Sequence, residues 1–211
     1  MRYWPLFDLR LHTPRLELRL PGLTDLEVLA DLAAEGVHDP AEMPFGIPWT
    51  DAPPEERARG TIQHHWSTWA EWTPANWHCN FVAVLNDEVV ATQGLYGKDF
   101  AILREVGTGS WVGRRHQGKG IATEMRAAVL HLAFEGLGAV EATSSAFTDN
   151  AASLAVSRKL GYEQDGIDHR VRRGEPAEET RLRLSRARWS EVEHPTVTIT
   201  GLAPCLPLFG L

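Results

Sequence analysis

A basic turn that carries several glycines is the segment of this chain best suited to chemistry. Glycine lets the backbone approach a ligand closely, and the free N–H groups of a helix's first turn attract anions. The turn follows a β-prone segment and precedes an amphipathic one, so it predicts a cradle that binds a pyrophosphate group without a metal ion. Its residues are Gly113, Arg114, Arg115, His116, Gln117, Gly118, Lys119 and Gly120.

Two known phosphate-binding motifs can be compared with this pattern, and neither matches it in full. The spacing from Gly113 to Lys119 is nearly that of a P-loop, but Gly120 stands where a P-loop has the Ser or Thr that binds Mg²⁺. The Gly-x-Gly-x-x-Gly fingerprint of dinucleotide-binding folds is absent. A nucleotide triphosphatase and a purely structural turn remain the alternatives to the cradle.

Regular elements must hold the turn in place. Residues 105–112 read as the strand that enters it, and residues 118–135 as a helix with one apolar stripe. Asn86 and Asp87 predict the turn of a hairpin over residues 81–92. The other predicted elements are a strand at 16–20, a helix capped by Thr24 or Asp25, an ordered loop at 36–52, a helix at 53–72, a strand at 140–146, a short helix from Asn150 to Gly161, and a hairpin of 167–171 with 180–184 around a turn at 173–176.

Composition limits the classes of partner. The net charge of −7 over 211 residues argues against nucleic acid, and no segment approaches the roughly 20 apolar residues of a membrane span. Cys79 and Cys205 form no disulfide framework, which predicts a soluble, cytoplasmic protein. We expect one domain over residues 1–190 and an extension over 191–211, whose apolar end packs either on the domain or on a second subunit of a homodimer.

Three segments of the chain, in order, resemble one known family. Residues 115–120 match the Arg/Gln-x-x-Gly-x-Gly/Ala signature of the GNAT superfamily of acyl-CoA-dependent N-acyltransferases. Residues 13–19 and 150–162 resemble segments of its ribosomal-protein N-acetyltransferase (Rim-type) branch. The resemblance covers about residues 12–190 and implies an α/β GNAT fold, with a mixed, mostly antiparallel sheet that is flanked by helices and splayed at its fourth strand.

The resemblance also implies which residues bind CoA. In the family the glycine turn binds the pyrophosphate, and the free edge of the preceding strand pairs with the pantetheine arm. Asn150 would bind pantetheine, Ser153 would protonate the departing thiolate, and Arg158 would reach the adenosine phosphates. Read alone, Asn150 is a good helix N-cap and Ser153 a small residue in a first helical turn. The implied set is Val112, Gly113, Arg115, His116, Gln117, Gly118, Lys119, Gly120, Asn150, Ser153 and Arg158.

Two catalytic groups common in the family are missing at the matching positions. Ser157 stands where many members have a tyrosine acid, and Gly107 stands where the Rim branch commonly has a glutamate. Glu105, on the same strand face as position 107, is the first candidate for the general base. His169 on the closing hairpin is the second. The alternative interpretation of Glu105 is a solvated glutamate on a strand.

The acceptor site is expected near the segment between the first two helices. Trp66, Trp69 and Trp72 are spaced three apart, which favours core packing on one helix face. The family resemblance instead makes this segment a wall of the acceptor site. Phe45, Trp49, Trp66 and Trp69 are therefore candidates for an apolar or cation-binding pocket.

The sequence as a whole predicts an enzyme that moves an acyl group from acetyl-CoA, or from another acyl-CoA such as succinyl-CoA, to a primary amine. The amine attacks the thioester directly and belongs to a protein or a small molecule. Because the tyrosine acid and the usual glutamate are both absent, a catalytically silent acyl-CoA-binding sensor is the alternative. No metal ion is required by either interpretation.

Overall fold

One nine-stranded sheet organises the protein, as a computed structural model of residues 1–211 describes it. Its strands are β1 (Arg10–His12), β2 (Leu16–Arg19), β3 (Asn76–Leu85), β4 (Glu88–Lys98), β5 (Glu105–Val112), β6 (Glu141–Phe147), β7 (Glu163–Arg172), β8 (Glu175–Ser185) and β9 (Thr198–Thr200). They lie in the order β7-β8-β6-β5-β4-β3-β2-β1-β9, and β5–β6 is the one parallel pair. The predicted mixed, mostly antiparallel sheet is confirmed.

Helices cover both faces of the sheet. They are α1 (Leu23–Glu35), α2 (Pro54–Ala70), α3 (Phe100–Leu103), α4 (Ile121–His131), α5 (Ala151–Lys159) and α6 (Arg186–Glu191). α1 packs on Val82 and Val84 of β3, and Thr68 of α2 contacts Asn80 on the same face. α4 packs on the opposite face. No helix is both long and apolar enough to cross a membrane.

β5 and β6 separate after a short paired stretch. Residues 105–107 pair with 141–143, and beyond them β5 keeps its pairing only with β4. The N–H of Gly113 bonds to Val90 O on the β4 side, at 2.9 Å. Because backbone groups alternate in direction along a strand, those of Thr108 and Ser110 face the gap toward β6. β5 is the fourth strand that the sequence predicted, so this gap is the expected splay.

Both predicted hairpins form with two-residue turns. Asn86 and Asp87 have φ of 51° and 65°, and Arg173 and Gly174 have φ of 52° and 83°. Positive φ at both central residues matches the right-handed twist of the flanking strands. The second turn is shorter than the expected 173–176, because the strands pair up to Arg172 and Glu175.

Two local expectations were wrong. α1 is capped by Gly22 rather than Thr24 or Asp25, since the Asp25 carboxylate reaches back to accept the N–H of Gly22 at 3.0 Å. The buried face of α2 carries Thr61, His65 and Thr68. Trp69 and Trp72 continue this face and pack against the core as expected, but Trp66 lies off it and is 49% exposed.

The last fifteen residues join the same core. β9 pairs with β1 at the edge of the sheet, and a 3-10 helix over Ala203–Phe209 follows. Phe209 is fully buried and packs on Trp72 and Trp77, with ring centroids 5.6 and 4.9 Å away. The indole N–H of Trp72 donates to Leu208 O at 2.8 Å.

Candidate active site

The glycine turn between β5 and α4 presents open backbone. Gly118 and Gly120 have φ of +74° and +79°, a region that side-chain-bearing residues rarely adopt. A Cβ built on Gly118 would meet no atom within 4 Å, so this backbone faces free space. The N–H groups of Gly118, Lys119 and Gly120 donate to no backbone carbonyl, and the first bond of α4 runs from Glu124 N to Gly120 O. Three successive free donors at a helix N-terminus can bind an anion.

Most side chains of the predicted cradle brace the turn from behind. Arg115 forms ion pairs with Glu35 and with Glu88, the latter at 2.9 Å. The Gln117 amide donates to Val37 O at 2.7 Å and to Val112 O at 2.9 Å. The other two predicted side chains do the same: His116 is buried beside Glu88, and the Lys119 ammonium donates to Arg115 O at 3.0 Å.

One cation of the turn remains free. Arg114 is exposed and makes no ion pair or side-chain hydrogen bond, so its guanidinium can meet a phosphate. Sequence reasoning placed Arg114 in the turn but chose Arg115 as the binding residue. Arg115 is engaged and Arg114 is free because of Glu35 and Glu88, which lie 80 and 27 residues from Arg115 in sequence.

The segment around Thr13 supports the turn from the side. Glu124 on α4 is only 7% exposed, and it accepts hydrogen bonds from Thr13 Oγ1 at 2.6 Å and from Arg15 Nε at 2.6 Å. Arg15 also donates to Lys119 O at 3.0 Å. The first of the two Rim-like segments therefore holds the turn against α4.

Val112 and Gly113 close the end of β5. Gly113 is a glycine because a Cβ there would lie 2.8 Å from Leu32 of α1. Its N–H bonds to Val90 O, and Val112 O accepts from Gln117. Val112 O is therefore occupied, and the next backbone groups that face the gap are those of Ser110, two residues back along the strand.

Polar side chains line the gap on the α4 side. Arg126 donates to Ser157 Oγ at 2.9 Å and to Ser110 Oγ at 3.3 Å. Ser157 is completely buried, and Ser153 lies one turn before it on the same face of α5. Asn150 caps α5 by accepting the Ser153 N–H at 3.1 Å, which leaves its amide NH₂ free. α5, which carries Asn150 at its N-cap and Ser153 in its first turn, therefore lies beside the gap through the contact of Ser157 with Arg126.

The opposite side of the gap is filled by a residue that sequence reasoning missed. Tyr96 of β4 lies directly opposite Gly107 of β5, and a Cβ on Gly107 would overlap the tyrosine ring. The ring of Tyr96 stacks on that of His78, with centroids 5.0 Å apart. Tyr96 is 38% exposed as a whole residue, but the partial burial of its phenol end over Gly107 raises the pKa of that phenol. The space of a glutamate at 107 is thus taken by a tyrosine from the neighbouring strand.

A polar cavity of about 180 Å³ opens beside this pair, between α2 and β3. Burial lowers the pKa of both His64 and His78 below the ordinary value of 6.5, so both imidazoles are neutral at neutral pH. A neutral imidazole can accept a proton. The lining residues are His64, Ser67, Thr68, Glu71, Asn76 and His78.

The two predicted bases lie in different places. Glu105 sits at the paired end of β5, about 7 Å along the strand from Gly107. Its pKa is raised by burial and by neighbouring Glu141. His169 is exposed on β7 opposite Glu178, and the strand register puts it on the other face of the sheet from Glu105. The structure does not bring His169 to the gap.

The four aromatic residues predicted for the acceptor pocket separate into two groups. Phe45 and Trp49 have ring centroids 5.3 Å apart, and Trp49 lies 5.9 Å from Trp111 of β5. Trp69 packs instead on Phe7 at 5.4 Å, and Trp66 points into solvent. Of the four, only Phe45 and Trp49 lie beside the stretch of β5 that has no partner on its β6 side.

The loop that carries Phe45 and Trp49 is tied to the β7–β8 turn. Arg173 at that turn donates to Asp51 at 2.9 Å and to Pro40 O at 3.1 Å. Arg172 donates to Asp149, just before α5, at 2.8 Å. Arg158 of α5 is exposed and has no ion-pair partner. These contacts connect the elements on the two sides of the gap.

Known proteins share this fold and sequence pattern. The family model described as "Acetyltransferase (GNAT) domain" matches residues 15–163. The structure of Mycobacterium smegmatis RimJ in complex with CoA-disulfide is similar, with a TM-score of 0.68 and 20% identity over 86% of this chain and 88% of that one. The structure of the ribosomal L7/L12 alpha-N-protein acetyltransferase RimL in complex with CoA has a TM-score of 0.66 and 17% identity, over 82% of this chain and 95% of that one. The structure of the microcin C7 self-immunity acetyltransferase MccE in complex with acetyl-CoA and AMP has a TM-score of 0.65 and 16% identity, over 82% of this chain and 93% of that one.

An open sheet that splays beside a glycine turn is the arrangement of the GNAT fold, which these structures share. Because the family model spans more than half of the chain, this protein belongs to the GNAT acetyltransferase family, whose members are acyl-CoA-dependent enzymes. The family predicted from the sequence is confirmed, and solved structures with the same fold include the Rim-type enzymes that it resembled.

Proposed function

We propose that this protein transfers an acetyl group from acetyl-CoA to a primary amine. One observation carries the proposal: three free N–H donors at Gly118, Lys119 and Gly120 lead directly to the free edge of β5 and from there to the gap. An acyl-CoA has its charged pyrophosphate, its amide-bearing arm and its thioester in the same order. This shared order supports acyl-CoA as the donor.

The proposed contacts follow from which groups are free. The pyrophosphate would lie on the N–H groups of Gly118–Gly120, with Arg114 as its cation. Ser110 and the free amide NH₂ of Asn150 would bind the pantetheine amides, and exposed Arg158 the adenosine phosphates. Arg115, His116, Gln117 and Lys119 would contribute by holding the turn in shape. Val112 and Gly113 would lie beside the arm.

The acceptor amine would approach from the polar cavity. An ammonium group suits a cavity that contains the Glu71 carboxylate and two neutral imidazoles. His78, which stacks on Tyr96 above Gly107, is placed to take the amine's proton before attack. Glu105 would act only through water, and His169 lies on the other face of the sheet. We therefore favour His78 over both residues predicted from the sequence.

The cavity suits a small acceptor group. Its volume of about 180 Å³ accommodates a small amine or the end of an extended peptide. A small-molecule amine and a flexible protein N-terminus or lysine both fit this description. Phe45 and Trp49 would pack against the apolar part of either. A homodimer and a cytoplasmic location stay predictions from the sequence.

The test is turnover on a panel of amines. Purified protein would be incubated with acetyl-CoA or succinyl-CoA and with N-terminal peptides, lysine peptides, polyamines and aminoglycosides. Thiol release and product mass would be measured together. We expect release of one thiol per acetylated amine, with acetyl-CoA the better donor. Tight acyl-CoA binding without product from any amine would favour the silent sensor.

A further inference from the structure

Arg126 is a buried cation without an anion. Arg126 is only 5% exposed, and no carboxylate lies within ion-pair distance of its guanidinium. The Nε–H of the guanidinium has no hydrogen-bond partner. The two remaining nitrogens donate only to the hydroxyl groups of Ser157 and Ser110. Burial of an uncompensated charge is costly, so such arginines are normally paired. Arg126 has no such partner, and its neighbours in the segment Met125-Arg126-Ala127-Ala128 are apolar.

The guanidinium lies at the gap between β5 and β6. Ser110 belongs to the stretch of β5 that has no partner on the β6 side, and Ser157 belongs to α5, which follows β6. The ionisable groups that face Arg126 are the phenols of Tyr162 and Tyr96. Tyr162 is engaged with Thr108 at 3.3 Å. Neither phenol is an anion at neutral pH, so the positive charge has no internal counter-ion.

We infer that Arg126 stabilises the thiolate of CoA as it departs, in the place where other family members have a tyrosine acid. The inference rests on the proposed function. In the transfer, the amine nitrogen forms the new C–N bond as the C–S bond breaks. The sulfur keeps the electron pair, and the amine's proton leaves through the base. The new negative charge on sulfur is paired by the free Nε–H of Arg126, and Ser157 holds the guanidinium in position.

The test compares CoA with dethio-CoA, which lacks the sulfur atom. Each ligand would be titrated calorimetrically into the protein at pH 7.5, in buffers of different ionisation enthalpy, which gives the number of protons released. A free thiol has a pKa of about 8.5, and an opposite charge within 4–6 Å lowers a pKa by about 1–3 units. A bound pKa of about 7 would release about 0.7 proton per CoA. Dethio-CoA would release none from sulfur and controls for the phosphates.

Variants separate this role from packing. Arg126→Met should bind CoA with the proton release of dethio-CoA, while Arg126→Lys should keep most of the wild-type release. Arg59→Met, an exposed arginine of α2, should change neither value. If Arg126→Met does not fold, the wild-type comparison of the two ligands still decides the question.

Each unfavourable outcome has a distinct meaning. Equal proton release from CoA and dethio-CoA in the wild type overturns the inference but leaves acyl-CoA binding intact. The inference is also overturned if Arg126→Met weakens the binding of succinyl-CoA far more than that of acetyl-CoA, since the arginine would then pair with an acyl carboxylate rather than with the sulfur. Failure of the wild type to bind any CoA species contradicts the proposed function itself.

Discussion

Gly118 and Gly174 form a matched pair that tests the cradle. Both have positive φ, +74° and +83°, and a Cβ on either would meet no atom within 4 Å. Gly118 lies in the turn before α4, whereas Gly174 lies at the tip of the β7–β8 hairpin. Replacement by alanine therefore adds the same methyl group in the same backbone conformation, once inside the proposed site and once outside it.

The two variants should lose similar stability and differ in binding. The left-handed conformation costs an alanine about 1–2 kcal/mol, so each variant should lose about that much free energy of unfolding. The urea midpoint of both variants should fall accordingly. In Gly118→Ala the methyl group also occupies the space in front of the free N–H groups. Loss of one hydrogen bond to a charged phosphate costs about 1.5–3 kcal/mol, which corresponds to about 10- to 100-fold in affinity.

Calorimetric titration with CoA, together with urea unfolding of both variants, measures the two effects separately. We expect Gly174→Ala to bind CoA like the wild type, at an equal loss of stability. The reasoning would be refuted by wild-type affinity in Gly118→Ala. Equal weakening in both variants would refute it as well, because the effect would then come from general destabilisation.

Three other predictions follow from named contacts. His78→Gln should lower kcat and remove the fall in kcat at low pH, because a base whose pKa lies below 6.5 accepts a proton only when it is neutral. His169→Gln is the control and should leave the pH profile of kcat unchanged. If the fall at low pH survives in His78→Gln but is lost in Glu105→Gln, the base is Glu105. Burial lowers the pKa of His65 to about 3, so the unfolded chain binds a proton below pH 6.5 that the folded protein does not. Between pH 6.5 and 5.0 the free energy of unfolding should therefore fall by about 1.6 kcal/mol, since the unfolded imidazole is already half protonated at pH 6.5, and a His65→Gln variant should lose this contribution in urea titrations. Phe209→Ala should cost about 3–5 kcal/mol of unfolding free energy, because it removes a fully buried ring from Trp72 and Trp77, and a loss below 1 kcal/mol would show that the tail is not part of the core.

The sequence was most informative where the signal is local. The strand at 105–112, the glycine turn and the two-residue turn at Asn86 each depend on residues that are neighbours in the chain, and each was predicted at the correct place. The strands of the hairpin run over 76–98 rather than the predicted 81–92, because their outer ends are set by pairing with neighbouring strands. The cap of α1 was misplaced by two or three residues, because Asp25 reaches back across a turn. The tail was not placed, because its partner strand and its core contacts lie far away in sequence.

The side chains at the gap were harder to predict because they depend on register between distant elements. Tyr96 covers Gly107 only because β4 and β5 pair in one particular register. Arg115 is neutralised by carboxylates from α1 and β4. A charged residue inside the apolar run of α4 was a visible signal for Arg126. Its meaning required the position of Ser157 on another helix.

A crystal structure of the protein with CoA would test the central claim most directly. We expect the pyrophosphate to lie within hydrogen-bond distance of the N–H groups of Gly118–Gly120, and the pantetheine arm to pair with Ser110 in the gap between β5 and β6. We also expect the sulfur to lie beside the Nε of Arg126. A CoA molecule bound elsewhere, with the gap filled by the protein's own side chains, would contradict it.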